Sequence, residues 1–178
     1  MANLYKSRAK ADIRNADGGY KNIVLWAPRE TFLLLQKPTL SLVSGDRKKI
    51  ITAHTFGLTD GFISWLCKKH SVTTTMETTG DAGSQSMVHH AKFILLGDDA
   101  STLEMLENQL NEDSIFLLKD QDCLNATDYV QFGDECLCPD IKVSFDGKTT
   151  GEGLKEYSVE ISVKSKKFFY SGIATMKP

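Results

Sequence analysis

Residues 71–79 read Ser-Val-Thr-Thr-Thr-Met-Glu-Thr-Thr. β-branched side chains dominate the stretch, and their stiffness at the first side-chain torsion suits a pleated strand better than a helix. Gly80-Asp81-Ala82-Gly83 follows as turn material, and Met87 to Leu96 is a second apolar run of strand character. Together they predict a long β-hairpin, residues 72–96, whose irregular tip is large for a simple turn and can reach a neighbour.

The next segment changes period. Asp98 and Asp99 sit where the positive end of a helix dipole favours acids, and Ser101-x-x-Glu104 can form a capping box. Leu103, Leu106 and Leu110 share a stripe at i, i+3, i+7 spacing. The spacing predicts one amphipathic helix over residues 99–110, docked on a sheet by those three leucines.

Strand signals resume on either side. Asn22–Ala27, Thr31–Gln36 and Lys48–Thr55 precede the hairpin, while Phe62–Cys67 is ambiguous between strand and helix. Ser114–Lys119 reads as a strand buried on both faces, followed by a short run at Tyr129–Phe132. Ile141, Val143 and Phe145 alternate with polar residues up to Asp146-Gly147, a hairpin-turn signal. Tyr157, Val159, Ile161 and Val163 alternate again, and Phe168–Tyr170 is the last strand. Strands before and after one helix, with no β-α-β rhythm, predict a mainly β fold: an antiparallel sandwich or barrel with one flanking helix. Residues 1–21 are polar and read as an N-terminal arm or loop, leaving residues 22–178 as a single β-rich domain.

No apolar run approaches the roughly 18 residues of a membrane helix, and Met1–Arg14 lacks the apolar core of a signal peptide. A cytoplasmic chain with four free thiols, Cys67, Cys123, Cys136 and Cys138, is the expectation. The net charge of −2 hides an asymmetry: residues 98–140 hold Lys119 alone against twelve acids, a balance of −11, while residues 1–72 balance at +7. Opposed charge segments suit attraction between subunits stacked head to tail; solvated acidic loops are the plainer reading.

Chemistry-bearing patterns are weak. Cys67-x-x-His70 and Cys136-x-Cys138 carry ligand types that zinc accepts, but neither is a C-x-x-C knuckle. Neighbours on a strand face opposite ways, so His89 and His90 cannot easily hold one ion. Asp120-x-Asp122 opens like a calcium loop, yet Asn125 replaces the required glycine and Gln131 the closing glutamate. Ser84 and Ser86 lack the flanking glycines of a nucleophile elbow, and Gly151-Glu-Gly153 lacks a third glycine. These readings predict no catalytic residue, no metal and no cofactor. One strip, Lys164, Lys166 and Lys167 beside Phe168, Phe169 and Tyr170, combines charge and rings as a single-strand nucleic-acid surface does. The same strip also reads as core aromatics beside edge lysines.

The layout resembles the tail-tube proteins of long-tailed phages and the ring-forming tube proteins of contractile injection machines. The hairpin Val72–Leu96, the helix Asp99–Leu110 and the closing strands Tyr157–Tyr170 carry the resemblance, which spans most of residues 22–170. It implies a structural virion protein, made in the host bacterial cytoplasm. It further implies rings of six subunits whose inner strands form one continuous barrel, stacked into a tube. The implied partners are copies of itself and other tail or neck proteins, with DNA as passing cargo and no membrane. An acidic channel would repel phosphate, and Asp120, Asp122 and Asp128 are the candidates to face it. A neck ring, connector or tail terminator is the nearest alternative, and a single-strand-binding β domain the more distant one.

Overall fold

The computed structural model describes residues 19–39, 43, 45–121, 128–151 and 153–178. Twelve strands and one helix follow in order: β1 (Tyr20–Pro28), β2 (Phe32–Leu34), β3 (Lys49–Ile50), β4 (Thr55–Phe56), β5 (Ile63–Leu66), β6 (Thr73–Thr79), β7 (Ser86–Leu96), α1 (Ala100–Gln109), β8 (Ser114–Asp120), β9 (Tyr129–Phe132), β10 (Asp140–Asp146), β11 (Glu156–Lys164) and β12 (Lys167–Tyr170). They build a six-stranded sheet, β3-β12-β9-β8-β1-β5, a four-stranded sheet, β10-β11-β7-β6, and the small pair β2-β4. Neither larger sheet closes on itself, so the fold is mainly β with open sheets and not a barrel. Among these twelve strands every pairing is antiparallel except β12 beside β3.

The six-stranded sheet is the middle layer. On one face Val24, Trp26, Trp65, Phe116 and Phe132 share a buried cluster with Ala91, Phe93, Val159 and Ile161 of the four-stranded sheet. The Trp65 ring, 5.8 Å from Phe93 and 6.3 Å from Phe116, ties the two layers together. On the other face Leu25, Ala27, Leu117, Phe168 and Tyr170 pack with Phe62, and Phe32 and Phe56 of the small pair lean against them. This is why β8 is apolar at consecutive positions: Phe116 and Leu118 fill one core, Leu117 the other.

The predicted hairpin is present as β6 and β7, in register from Thr73 opposite Lys92 to Thr79 opposite Ser86. Gly80 starts its tip at φ +101°, and a Cβ there would lie 2.8 Å from the Ser84 carbonyl oxygen. In β11 alternate residues Tyr157, Val159, Ile161 and Val163 are buried, as the pattern predicts. Phe62–Cys67 resolves as strand, β5.

Three local expectations are corrected. First, the helix begins at Ala100, and its cap is Asp99: the carboxylate accepts from the Thr102 amide at 2.9 Å and from the Thr102 hydroxyl at 2.7 Å. Three donors on Asp99, counting the Ser101 hydroxyl, outcompete the Ser101–Glu104 box and hold its pKa down at about 2. Second, of the leucine stripe only Leu106 is buried, at 2% exposure; Leu103 and Leu110 remain 43% and 47% exposed. The docked arc runs instead through Met105, Leu106 and Gln109, because the Trp65 indole N–H donates to the Met105 sulfur at 3.2 Å and draws that side of the helix inward. Third, Asp146-Gly147 does not make a tight turn. β11 starts only at Glu156, and Asp146 instead accepts from the Lys148 amide at 3.0 Å, with Lys148 at φ 50°.

Candidate assembly surfaces

The metal patterns are not brought together. Cys67 lies in the main core, where burial pushes its thiol up to about 12, while His70 is exposed on the turn before β6. Cys136 and Cys138 sit on the turn after β9, and burial moves Cys138 up to about 11. Among the described residues no group of three His, Cys, Asp or Glu side chains is placed to hold a metal ion. Cys123 and Asp122 lie outside the described residues.

The basic–aromatic strip divides. Phe168 and Tyr170 point into the second core, Phe169 to the opposite side with 54% exposure. Lys166 pairs with Asp134 at 2.6 Å. Asp120 and Asp128 meet at the connection between β8 and β9, where the Asp120 amide donates to the Asp128 carbonyl at 3.3 Å. The strands they flank, β8 and β9, belong to the six-stranded sheet.

A buried polar chain that pattern reading missed runs through His54. The Gln36 amide donates to His54 Nδ1 at 3.0 Å, which makes Nδ1 the acceptor, so Nε2–H donates to Gln131 Oε1 at 2.8 Å. Gln131 passes its amide to the Gly133 carbonyl, and the Tyr170 ring stacks on the imidazole at 4.5 Å. Burial lowers the His54 pKa to about 4, against the opposing bond to Gln131. Every polar atom of the neutral ring has a partner, which marks a structural core histidine.

The four-stranded sheet ends on both sides in an unpaired seven-residue strand, β10 at one edge and β6 at the other. No strand among the described residues covers either edge. The β6 edge carries neither lysine nor proline, the residues that ordinarily discourage pairing. The sheet's outer face is polar: Thr73, Lys92, Glu160 and Lys142 fall in one cross-strand row. In the next row His90 Nε2 lies 3.3 Å from Glu77 and Nδ1 3.5 Å from Glu160. His89 faces the other way, as the strand period requires.

His89 opens onto a cleft of about 480 Å³ between the tip end of the hairpin and the turn leading into β12. Met76, Met87 and Phe169 give it an apolar wall, and Lys48 and Lys167 stand at its margin with no carboxylate among the lining residues. Burial depresses the pKa of His89, Lys48 and Lys167, and both lysines add to the effect on His89. His89 is 8% exposed and its Nδ1 has no hydrogen-bond partner within the chain.

At the far end of the sandwich, α1 turns Leu103, Glu107 and Leu110 outward along one stripe. Burial, the hydrogen bond to Asp98 and the nearby Asp99 and Glu107 raise the Tyr157 pKa, so acids outnumber the one cation, Lys155 on Asp98, beside that stripe. The two surfaces, one basic and one acidic, are built from segments that local patterns do not connect. Among the described residues no helix is long and apolar enough to cross a membrane. No protein-family model, curated protein or solved structure matches the chain.

Proposed function

We propose that this chain is a structural virion subunit that joins copies of itself edge to edge into rings, and that the rings stack into a phage tail tube through which DNA passes. The observation that carries the reading is the four-stranded sheet with two open edges of equal length. Its strands alternate in direction, so β6 and β10 run oppositely. A rotation about an axis along the strands therefore sets β6 of one copy antiparallel to β10 of the next, and repetition of that step closes a ring.

Magnitudes fit an assembly that is controlled. Seven paired residues supply on the order of 7 backbone hydrogen bonds at roughly 1 kcal/mol net each. Association costs an estimated ~4–15 kcal/mol, so edge pairing alone is marginal and needs side-chain contacts or a nucleating partner.

Negative-stain electron microscopy across concentrations, with mass in solution, tests the reading. Tubes or stacked rings with a central hole are expected, and their symmetry can be counted against the six that the resemblance implies. Rings that never stack would transfer the protein to a neck, connector or terminator role. A monomer even in the presence of tail-tip or neck components would remove the reading.

A further inference from the structure

We infer that the exposed stripe of α1 in one copy seats in the cleft beside the hairpin of the next copy, forming the head-to-tail contact between successive rings. The inference rests on the assembly reading and names the surfaces that reading leaves open.

The two surfaces lie at opposite ends of one strand. The cleft is at the start of β7, with Met87 and His89, and α1 follows directly from its end at Leu96. Eleven residues at ~3.3 Å each separate them by roughly 35 Å, the thickness of the sheet along its strands. A surface at each end, different in character, is the arrangement that extends without limit in one direction.

Their chemistry is complementary. The cleft offers Met76, Met87 and Phe169, all about half exposed, between Lys48 and Lys167. The helix offers Leu103 and Leu110 with Glu107 between them. Met side chains adapt their shape to a leucine ridge, and Glu107 meets two ammonium groups whose surroundings already disfavour charge. Asp120 near Lys167 and Asp134 near Lys48 offset the lysines only in part, since Asp134 is engaged by Lys166. Such a carboxylate restores what burial removes. Inside its own chain Glu107 is exposed near the Tyr157 hydroxyl, and the cation in that cluster, Lys155, pairs with Asp98 at 2.7 Å, so Glu107 is free to meet a cation from a neighbour.

Two variants test the contact. In one, Glu104→Lys and Glu107→Lys make the helix face basic; in the other, Met87→Glu and Lys167→Glu make the cleft acidic. Each alone sets like charge against like and is expected to weaken self-association roughly tenfold or more. Mixed, the basic helix of the first fits the acidic cleft of the second, and the unchanged helix of the second fits the unchanged cleft of the first, so sedimentation should show association restored with the two variants pairing alternately. If circular dichroism shows the double cleft variant unfolded, Met87→Glu alone takes its place, since Met87 is a half-exposed wall residue. No pair in the mixture at millimolar concentration overturns the contact. So do tubes that persist in the helix variant, while they leave the tube reading intact. A mixed pair without rings in the wild-type protein keeps this contact and removes the ring reading.

Discussion

His54 shows how one side chain couples the fold to pH. Its neutral ring is fully bonded, and protonation of Nδ1 would set two donors, the ring N–H and the Gln36 amide, against each other. The unfolded chain takes up this proton near the ordinary 6.5, the folded chain only near 4. Stability from this group is therefore complete above pH 6.5 and falls as pH drops toward 4, by about 3 kcal/mol at the end of that window. Denaturant titrations at pH 7.0 and 4.5 should show His54→Asn less stable than wild type at neutral pH but losing less on acidification. Equal acid sensitivity in both proteins would remove His54 from the account. Gly61 makes a second point at this scale. A Cβ there would lie 2.5 Å from the Lys177 amide and the Met176 carbonyl carbon, both of them backbone that cannot step aside. Gly61→Ala should cost about 1–3 kcal/mol by thermal unfolding and free the closing segment to proteolysis.

Among the elements, α1 separates what binds inward from what stays exposed. Leu106→Ala should destabilise by about 2–5 kcal/mol, as a buried leucine does, and Leu103→Ala by about 0.5 kcal/mol or less. Comparable losses from both would mean the stripe is docked as its spacing suggests. The contrast also marks how far local pattern reaches. β6 was legible from its β-branched residues, β8 from its continuous apolar run and β7 and β11 from their strand-like apolar patterns, local signals that need no knowledge of a neighbour. The helix was legible in its limits, but not in its buried arc, which Trp65 decides from forty residues away. β3 is two residues long and pairs in parallel with β12, so it has no period to read. The candidate assembly surfaces were legible only as a charge imbalance and as a hairpin with a large tip. The cleft gathers Lys48, Met76, Met87, Lys167 and Phe169 from four separate segments, and an open edge is defined by a partner that is missing from the sequence.

For the whole molecule the question is which surface meets which. Antiparallel strands alternate the direction of their amides, so of the adjacent N–H groups of Thr75 and Met76 one points to β7 and the other to the open edge. Proline at the open-edge position should leave the monomer folded and abolish rings, read by electron microscopy and circular dichroism. Rings that survive it would take β6 out of the interface. The acidic residues Asp120, Asp122 and Asp128 are a separate matter. If they face the channel, changing all three to Asn should slow DNA passage, and unchanged infectivity would set that role aside.

The order of strands in the middle sheet has a consequence in time. Phe169 lies opposite Lys49, a separation of 120 residues, and β12 is the bridge between β9 and β3. The sheet cannot be completed on the ribosome until residues 167–170 have emerged, and such distant pairing is intrinsically slow. The same closing strand supplies Lys167 and Phe169 to the cleft. A chain not yet elongated past residue 170 thus lacks part of that cleft, and the proposed contact with a neighbour's helix has to wait for β12.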